Sequence, residues 1–251
     1  MKIWCVELRL QPLSELLIRQ VGRSNVQWFS YLFLPPTAFS GFVASLLAGE
    51  GDESWRKNYI ELNDDKAREV GALFPGVFSV GAYPDPAKVR RNRHYRQHFG
   101  DVYNYEASAW AGNKKLARAE SCWAPELRGF LLAETEEPLH QLSRHPNLRF
   151  RIMRVGKKGA VKIKAVNGPW ELTLQQVQGV VPSTVAPLEM IRQFPNDLEV
   201  LHVPMRKRTG NKLVRETYPC VFGQPIYGEA YVSDSVVIPE PLVRLTQPGN
   251  G

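Results

Sequence analysis

The sequence predicts an α+β fold with a long basic arm inserted between two strands and a β-rich C-terminal part. Three observations predict it. Residues 2–10 alternate apolar and polar as a strand does, 38–48 read as one well-delimited helix, and strand-like runs dominate beyond residue 160. The stretch 83–121 differs from everything around it: it mixes Arg, Lys, His, Asn, Tyr and Trp with no sustained core pattern. A connection this long inside a compact domain either has a function or is disordered. Its aromatics, Tyr95, Phe99, Tyr103, Tyr105 and Trp110, argue against disorder, so it is read as a protruding hairpin.

The elements follow in order. In 2–10, Trp4, Val6, Leu8 and Leu10 form an apolar face against a mixed face of Ile3, Cys5, Glu7 and Arg9, which predicts one buried face. A second extended stretch, 15–21, ends at Gly22. Pro35-Pro36 stops an extended run, Thr37 is placed as N-cap, and the helix 38–48 ends at Gly49. Phe39, Phe42, Val43, Leu46 and Leu47 cover one face of that helix. Gly41, Ala44, Ser45 and Ala48 leave the other open to close approach by another backbone. Residues 53–72 are polar and weakly helical, Phe74-Pro75-Gly76 closes them, and 77–82 is a strand. Beyond the arm, 127–133 is a strand and 136–144 a short helix with acids at its start and a base at its end. Residues 147–154 and 160–166 form a hairpin across Gly156-Lys157-Lys158-Gly159. Strand-like runs at 170–181, 198–205, 213–222 and 226–232 complete the chain, with a short helix or turn at 187–194. Trp123, Trp170 and His202 are expected in the core, and His140 and His145 on the surface.

Composition excludes several classes. With 251 residues, 43% hydrophobic and 23% charged, the chain can bury a sizeable core and is not disordered as a whole. Cys5, Cys122 and Cys220 are too few and too scattered for a disulfide framework. No CxxC pair or His/Cys cluster offers metal-ligand spacing, so neither a metal nor a cofactor is expected. The longest apolar runs, near 31–34 and 42–48, fall far short of the roughly 20 residues that span a bilayer. The N-terminus alternates like a strand and lacks the apolar core of a signal peptide. A cytoplasmic protein with no membrane partner is expected.

Charge is more informative. The net charge of +7 is unevenly spread: 88–98 hold five Lys/Arg, 149–164 seven and 206–215 five, with no acid in any of the three. Those 37 residues carry 17 of the 32 basic groups, and the rest of the chain has a net charge of −10. A uniformly solvated surface does not segregate charge in this way. Three distant segments gathered into one footprint would neutralise phosphates and release their counterions. Aromatics interleaved with the basics at 94–110 suit stacking on unpaired bases. In the turn at 156–159, glycines let the backbone bend while Lys157 and Lys158 face outward, and same parity places Lys162 and Lys164 on one face of a strand.

Catalytic motifs are absent: there is no P-loop, no GxGxxG after a strand, no HExxH and no GxSxG. His94, Tyr95 and His98 beside the arm's cations could support metal-free RNA cleavage, the imidazole moving protons and the cations stabilising a phosphorane. A histidine in a basic loop more often contacts phosphate or base.

One resemblance draws these features together. An N-terminal strand, then Pro36-Thr37, Gly41, Ala44, Leu47 and Gly49, resembles the helix of the Cascade subunit that caps the 5′ handle of CRISPR RNA, the CRISPR-associated protein five family of the RAMP superfamily. RIMRVGKKGAVKIKA at 151–165 is similar to a basic stretch of its type I-D members, as is LIRQVGR at 17–23 followed by the apolar run at 31–34. The likeness covers about the first 50 residues and 147–166; the C-terminal residues match no motif of that family. It implies a ferredoxin-like, RRM-type (RAMP) domain at 1–166 with an inserted basic β-hairpin thumb at about 84–122, and a β-rich C-terminal region at 167–251 packed on it. The function implied is a non-catalytic, guide-RNA 5′-handle-binding subunit of a type I interference complex, most like type I-D, used in antiviral defence. Its partners would be the guide RNA, the RAMP backbone subunit, the large subunit and, through the assembled complex, target DNA. The Tyr/Lys/His set of the RNA-processing type I-C branch has no residue-by-residue match here, so a metal-free endoribonuclease is the alternative. A protein scaffold whose basic arm meets an acidic partner is a second rival. Phosphate contacts are assigned to Arg90, Arg91, Arg93, Arg96, Lys114 and Lys115 on the arm, to Lys157 and Lys158 in the turn, and to Arg206, Lys207, Arg208 and Lys212 in the late basic loop. Base contacts are assigned to His94, Tyr95 and Tyr103.

Overall fold

A computed structural model describes residues 2–20, 27–48, 69–97, 102–104, 109–111, 116–148, 152–155, 159–209 and 212–247. In chain order the elements are β1 (Lys2–Pro12), β2 (Gln27–Trp28), α1 (Pro36–Ala48), α2 (Val70–Leu73), β3 (Phe78–Tyr83), β4 (Arg90–Gln97), β5 (Val102–Asn104), β6 (Ala109–Ala111), β7 (Leu116–Trp123), β8 (Leu127–Ala133) and α3 (Glu136–Ser143). Then follow β9 (Ile152–Arg154), β10 (Ala160–Val180), β11 (Ala186–Pro187), β12 (Leu201–Thr209), β13 (Lys212–Val221), β14 (Ile226–Ser233), β15 (Val236–Pro239) and α4 (Glu240–Thr246).

The main sheet runs β15-β14-β10-β1-β8-β3, with β9 on β10, and every pairing in it is antiparallel. Its inner order, β10-β1-β8-β3, with α1 between β1 and β3 and α3 between β8 and β10, is the split βαβ arrangement of a ferredoxin-like domain. The architecture is therefore α+β and β-rich, as the sequence predicts. Helix α1 lies on β3, and the Phe39 ring sits so close over β8 that a Cβ on Gly129 would come within 2.2 Å of it. Glycine there is what lets the helix settle on the sheet. Helix α3 turns Leu139 and Leu142 into the core against β1, β8 and β10. Helix α4 packs on β3, β12 and β14, and β3 is buried at all six positions.

Four sequence expectations need correction here. Strand β1 is covered on both sides, because Ile3, Cys5 and Glu7 are as buried as Val6, Leu8 and Leu10. The Glu7 carboxylate is tolerated there by the Arg128 guanidinium and by Asn167, whose Nδ2 donates to it at 2.9 Å; Arg128 also donates to the Ser235 carbonyl at 3.2 Å. The helix starts at Pro36, one residue before Thr37, since a proline at the first helical position has no N–H to waste. Its small face is partly covered as well: Ala44 is fully buried and the Ser40 hydroxyl accepts the Val70 N–H at 3.0 Å. Residues 160–180 are one continuous strand, where the sequence suggests two. Gly168-Pro169 stands opposite the single residue Val6 as a bulge, since Cys5 pairs with Trp170 and Glu7 with Asn167. A bulge accommodates the proline that, read locally, signals a break. The division at 166/167 falls inside this strand, and β14 and β15 extend the same sheet. Finally, 146–148 form a 3₁₀ turn, and among the described residues the strand that pairs with β10 there is β9.

Among the described residues no helix is long and apolar enough to cross a membrane. Cys5, Cys122 and Cys220 are free and buried.

Candidate nucleic-acid interface

The arm is a hairpin. Strands β4 and β7 pair antiparallel from Arg90 opposite Trp123 to Gln97 opposite Leu116, and β5 pairs with β6 nested between them. Strand β2 adds to β7 in parallel. What holds the root is a set of carboxylates drawn from elsewhere in the chain. Glu15 accepts from Asn92 Nδ2 through one oxygen and from Ser121 Oγ at 2.7 Å through the other. The main chains of Leu16 and Cys122 exchange two hydrogen bonds of 2.8 Å. Arg91 Nη2 lies 2.6 Å from the Glu199 carboxylate, and Arg93 Nε lies 3.1 Å from Glu120, whose side chain is 2% exposed. Burial pushes the Cys122 thiol up to about 11, so the root offers no thiolate nucleophile at neutral pH.

The second basic segment is anchored on the same two residues. Gly159, at φ +129°, packs so tightly that a Cβ would lie 2.5 Å from Leu16 Cδ2 and 2.9 Å from the Glu15 carbonyl. Leu13 N–H donates to the Ala160 carbonyl at 2.9 Å, and Val155 N–H closes the turn onto the Gly159 carbonyl at 3.0 Å. The third segment is carried by a strand that begins at Leu201, two residues after Glu199, the partner of Arg91. Strands β12 and β13 form a second long hairpin, whose base is fixed by Leu201, Val203, Met205 and Cys220 in the core and by the Tyr31 hydroxyl, which donates to the His202 carbonyl. The arm and the Gly159 turn, about 60 residues apart in the chain, thus root together at Glu15 and Leu16, and the β12–β13 hairpin that carries the third segment is tied to the arm by the Arg91–Glu199 pair.

The predicted site residues fall as follows. Arg90 and Arg93 are exposed, and Arg91 is half-buried on Glu199. His94, Tyr95 and Arg96 lie in β4 opposite Ala119, Arg118 and Ala117, and Tyr103 lies in β5 opposite Trp110. Arg206, Lys207 and Arg208 lie in β12 opposite Arg215, Val214 and Leu213, and Lys212 starts β13 opposite Thr209. The late basic loop is therefore a hairpin, because its cations extend the strands of a ladder already seeded by buried apolar residues. Arg206 and Arg215 take directly opposed register positions in the ladder. Lys114, Lys115, Lys157 and Lys158 lie outside the described residues, as do His98 and the turn that carries the two lysines.

Some of the basic charge is spent internally. Glu126 lies 2.6 Å from Arg9 and 3.8 Å from Lys164, and Glu120 and Glu199 hold arm arginines. Lys162 is half-buried and Lys164 exposed, with Val161 and Ile163 buried on the opposite face, as same parity predicts. Trp123, expected in the core, is 40% exposed opposite Arg90 at the arm root, since it ends β7 just before the chain turns at Pro125. His202 is exposed because its neighbours Leu201 and Val203 take the inward positions of β12. His140 and His145 are half-buried; the His145 ring meets Phe74 edge-on at 6.3 Å. Glu15 and Glu199 do not stand out in the sequence as parts of the site. Neither acid lies within one of the acid-free segments, and nothing in the sequence says which acid will meet which cation.

No family model matches the sequence, and no curated protein does. Among solved structures, the chain is similar to a CRISPR protein from Archaeoglobus fulgidus, with 16% identity, a TM-score of 0.38, and coverage of 95% of this chain and 98% of that one. It is also similar to a chain of the type III-B Cmr-beta bound to cognate target RNA and AMPPnP, with 10% identity, a TM-score of 0.45, and 91% and 86% coverage. A RAMP protein binding different RNA substrates matches at 12% identity and a TM-score of 0.31 over 96% and 91%. At these scores the likenesses carry no weight of their own; the ferredoxin-like order stands on the strand pairing.

Proposed function

We propose that the chain is a guide-RNA-binding structural subunit of a CRISPR interference complex, one that holds the 5′ handle without cutting it. The observation that carries this reading is that the arm and the Gly159 turn are anchored together at Glu15 and Leu16, with the hairpin of the third acid-free segment tied to the arm through Arg91 and Glu199. Basic segments anchored close together on one sheet can serve a single phosphate backbone, whose contacts position a strand without reading its sequence. The resemblance of the 36–49 helix and the 151–165 stretch supplies the family, and within it the type I-D branch. The alternative, a metal-free endoribonuclease that processes precursor RNA on the same fold, would draw on His94, Tyr95 and His98.

The test is salt-dependent binding of single-stranded handle RNA by the full chain. Removing one cation from a phosphate flattens the slope of log affinity against log salt by about 0.7. Lys157→Ala with Lys158→Ala, and separately Arg90→Ala with Arg96→Ala, should each flatten it. Arg91 is left out because its removal loosens the arm root. Unchanged slopes in both double variants would sink the reading. A single-site cut in labelled repeat RNA in the presence of EDTA would replace it with the endoribonuclease.

A further inference from the structure

A concave site lies between the loop that precedes β12 and the turn that leads into β14, and it belongs to none of the three basic segments. Gln193, Phe194 and Pro195 on one side, and Gln224, Pro225 and Tyr227 on the other, line a cavity of about 400 Å³. Its volume falls in the range of small-ligand pockets, roughly 300–1,000 Å³. Phe194 is 62% exposed, an unusual position for a phenylalanine, and the Arg192 guanidinium stacks over the Tyr227 ring at 4.8 Å. The lining combines flat apolar surface with two carboxamides, each carrying donors and an acceptor, and contains no acid. Both walls are tied to the arm. Glu199, which holds Arg91, is in the same loop as Phe194, and Gly223, next to Gln224, packs on Pro86 at the arm's entry, where a Cβ would lie 2.9 Å from the proline ring.

We infer that this cavity takes one unpaired base of a single-stranded RNA. The inference rests on the RNA-binding reading above. Phe194 supplies a stacking face, Gln193 and Gln224 can meet the donors and acceptors of a base edge, and Arg192 at the rim suits the adjoining phosphate. A proline-rich peptide is the other occupant that aromatic and proline walls can hold.

Single-stranded oligomers of A, C, G or U, each about twelve nucleotides long, should be titrated against the full chain and against Phe194→Ala, Phe194→Trp and Gln224→Ala. Removing one base–aromatic stack should weaken binding by Phe194→Ala roughly five- to a hundredfold. Its salt slope should stay at the wild-type value, and Phe194→Trp should restore binding. Gln224→Ala should change the ranking of the four oligomers. The melting temperature serves as the fold control, since Phe194 is largely exposed. If Phe194→Ala binds every oligomer as the wild type does, or loses affinity with a flattened slope, the base pocket is wrong while the RNA-binding reading stands. If the wild type binds none of them, both fall. A proline-rich peptide that shifts the Phe194 resonances and is not displaced by RNA would reassign the cavity to a peptide.

Discussion

Gly159→Ala is the sharpest perturbation of the shared root. The position sits at φ +129°, a region open to glycine and to almost nothing else, and the new methyl would stand 2.5 Å from Leu16 Cδ2 and 2.9 Å from the Glu15 carbonyl. The Leu16 side chain can yield a little; the carbonyl belongs to the backbone that also bonds the arm at Cys122. Backbone strain of this kind costs about 1–3 kcal/mol, and overpacking adds about 1–3 kcal/mol. A loss of about 2–6 kcal/mol lowers the melting temperature by roughly 4–24 °C in a domain of this size. Gly76→Ala provides the control. Gly76 also has a positive φ, +84°, but a methyl there meets nothing within 4 Å, so strain alone, about 1–2 kcal/mol, should register. Thermal melts and urea curves of the two variants give the difference directly, and handle-RNA titrations should show weakened binding only for Gly159→Ala. Equal destabilisation by the two alanines would mean that the turn does not rest on Glu15 and Leu16, and the convergence of the basic segments would fall with it.

Two other expectations concern the core. Arg128→Met strips the partner from Glu7, which is 6% exposed, and should cost about 3–5 kcal/mol by urea unfolding; adding Glu7→Gln should recover most of it. A double variant no more stable than the single one would show that Glu7 is not held by that guanidinium. Burial pushes the Cys122 and Cys220 thiols up from their ordinary 9.0 to about 11 and about 12, so the folded state binds these protons more tightly than the unfolded one. Their contribution to stability is therefore present in full below pH 9.0 and is lost as the pH rises toward 11–12. Thiol reagents at neutral pH should label none of the three cysteines until the chain unfolds. Rapid labelling of the native protein would contradict their burial.

Elements with a strong local signal are legible in the sequence. Strand β8 begins and ends where the sequence places it, at Leu127 and Ala133, and α1 and α3 each lie within two residues of their predicted bounds. In each, the apolar period and the flanking Pro, Gly or acidic residues act over a few positions, and neighbours in space do not override them. The long β10 is not legible, because a glycine–proline pair opposite Val6 looks locally like an end and becomes a bulge only when β1 is beside it. The basic ends of β12 and β13 read as a loop for the same reason: their ladder partners, not their own propensities, keep them extended.

For the candidate site the division is similar. Segregation of 17 basic groups into three acid-free segments is a property of the chain alone and is what suggests a polyanion footprint, while the ferredoxin-like expectation comes from the resemblance of the 36–49 helix. Which cations remain available is a tertiary matter. Arg91 is taken by Glu199, 108 residues away, and Arg93 by Glu120, and Trp123 is turned outward beside Arg90. That the arm and the Gly159 turn meet depends on Glu15 and Leu16, two residues with no distinguishing mark in the sequence. Charge is written residue by residue, but a surface forms only where the folded backbone brings distant residues within a few ångströms, and that distance is set by the packing of the whole sheet.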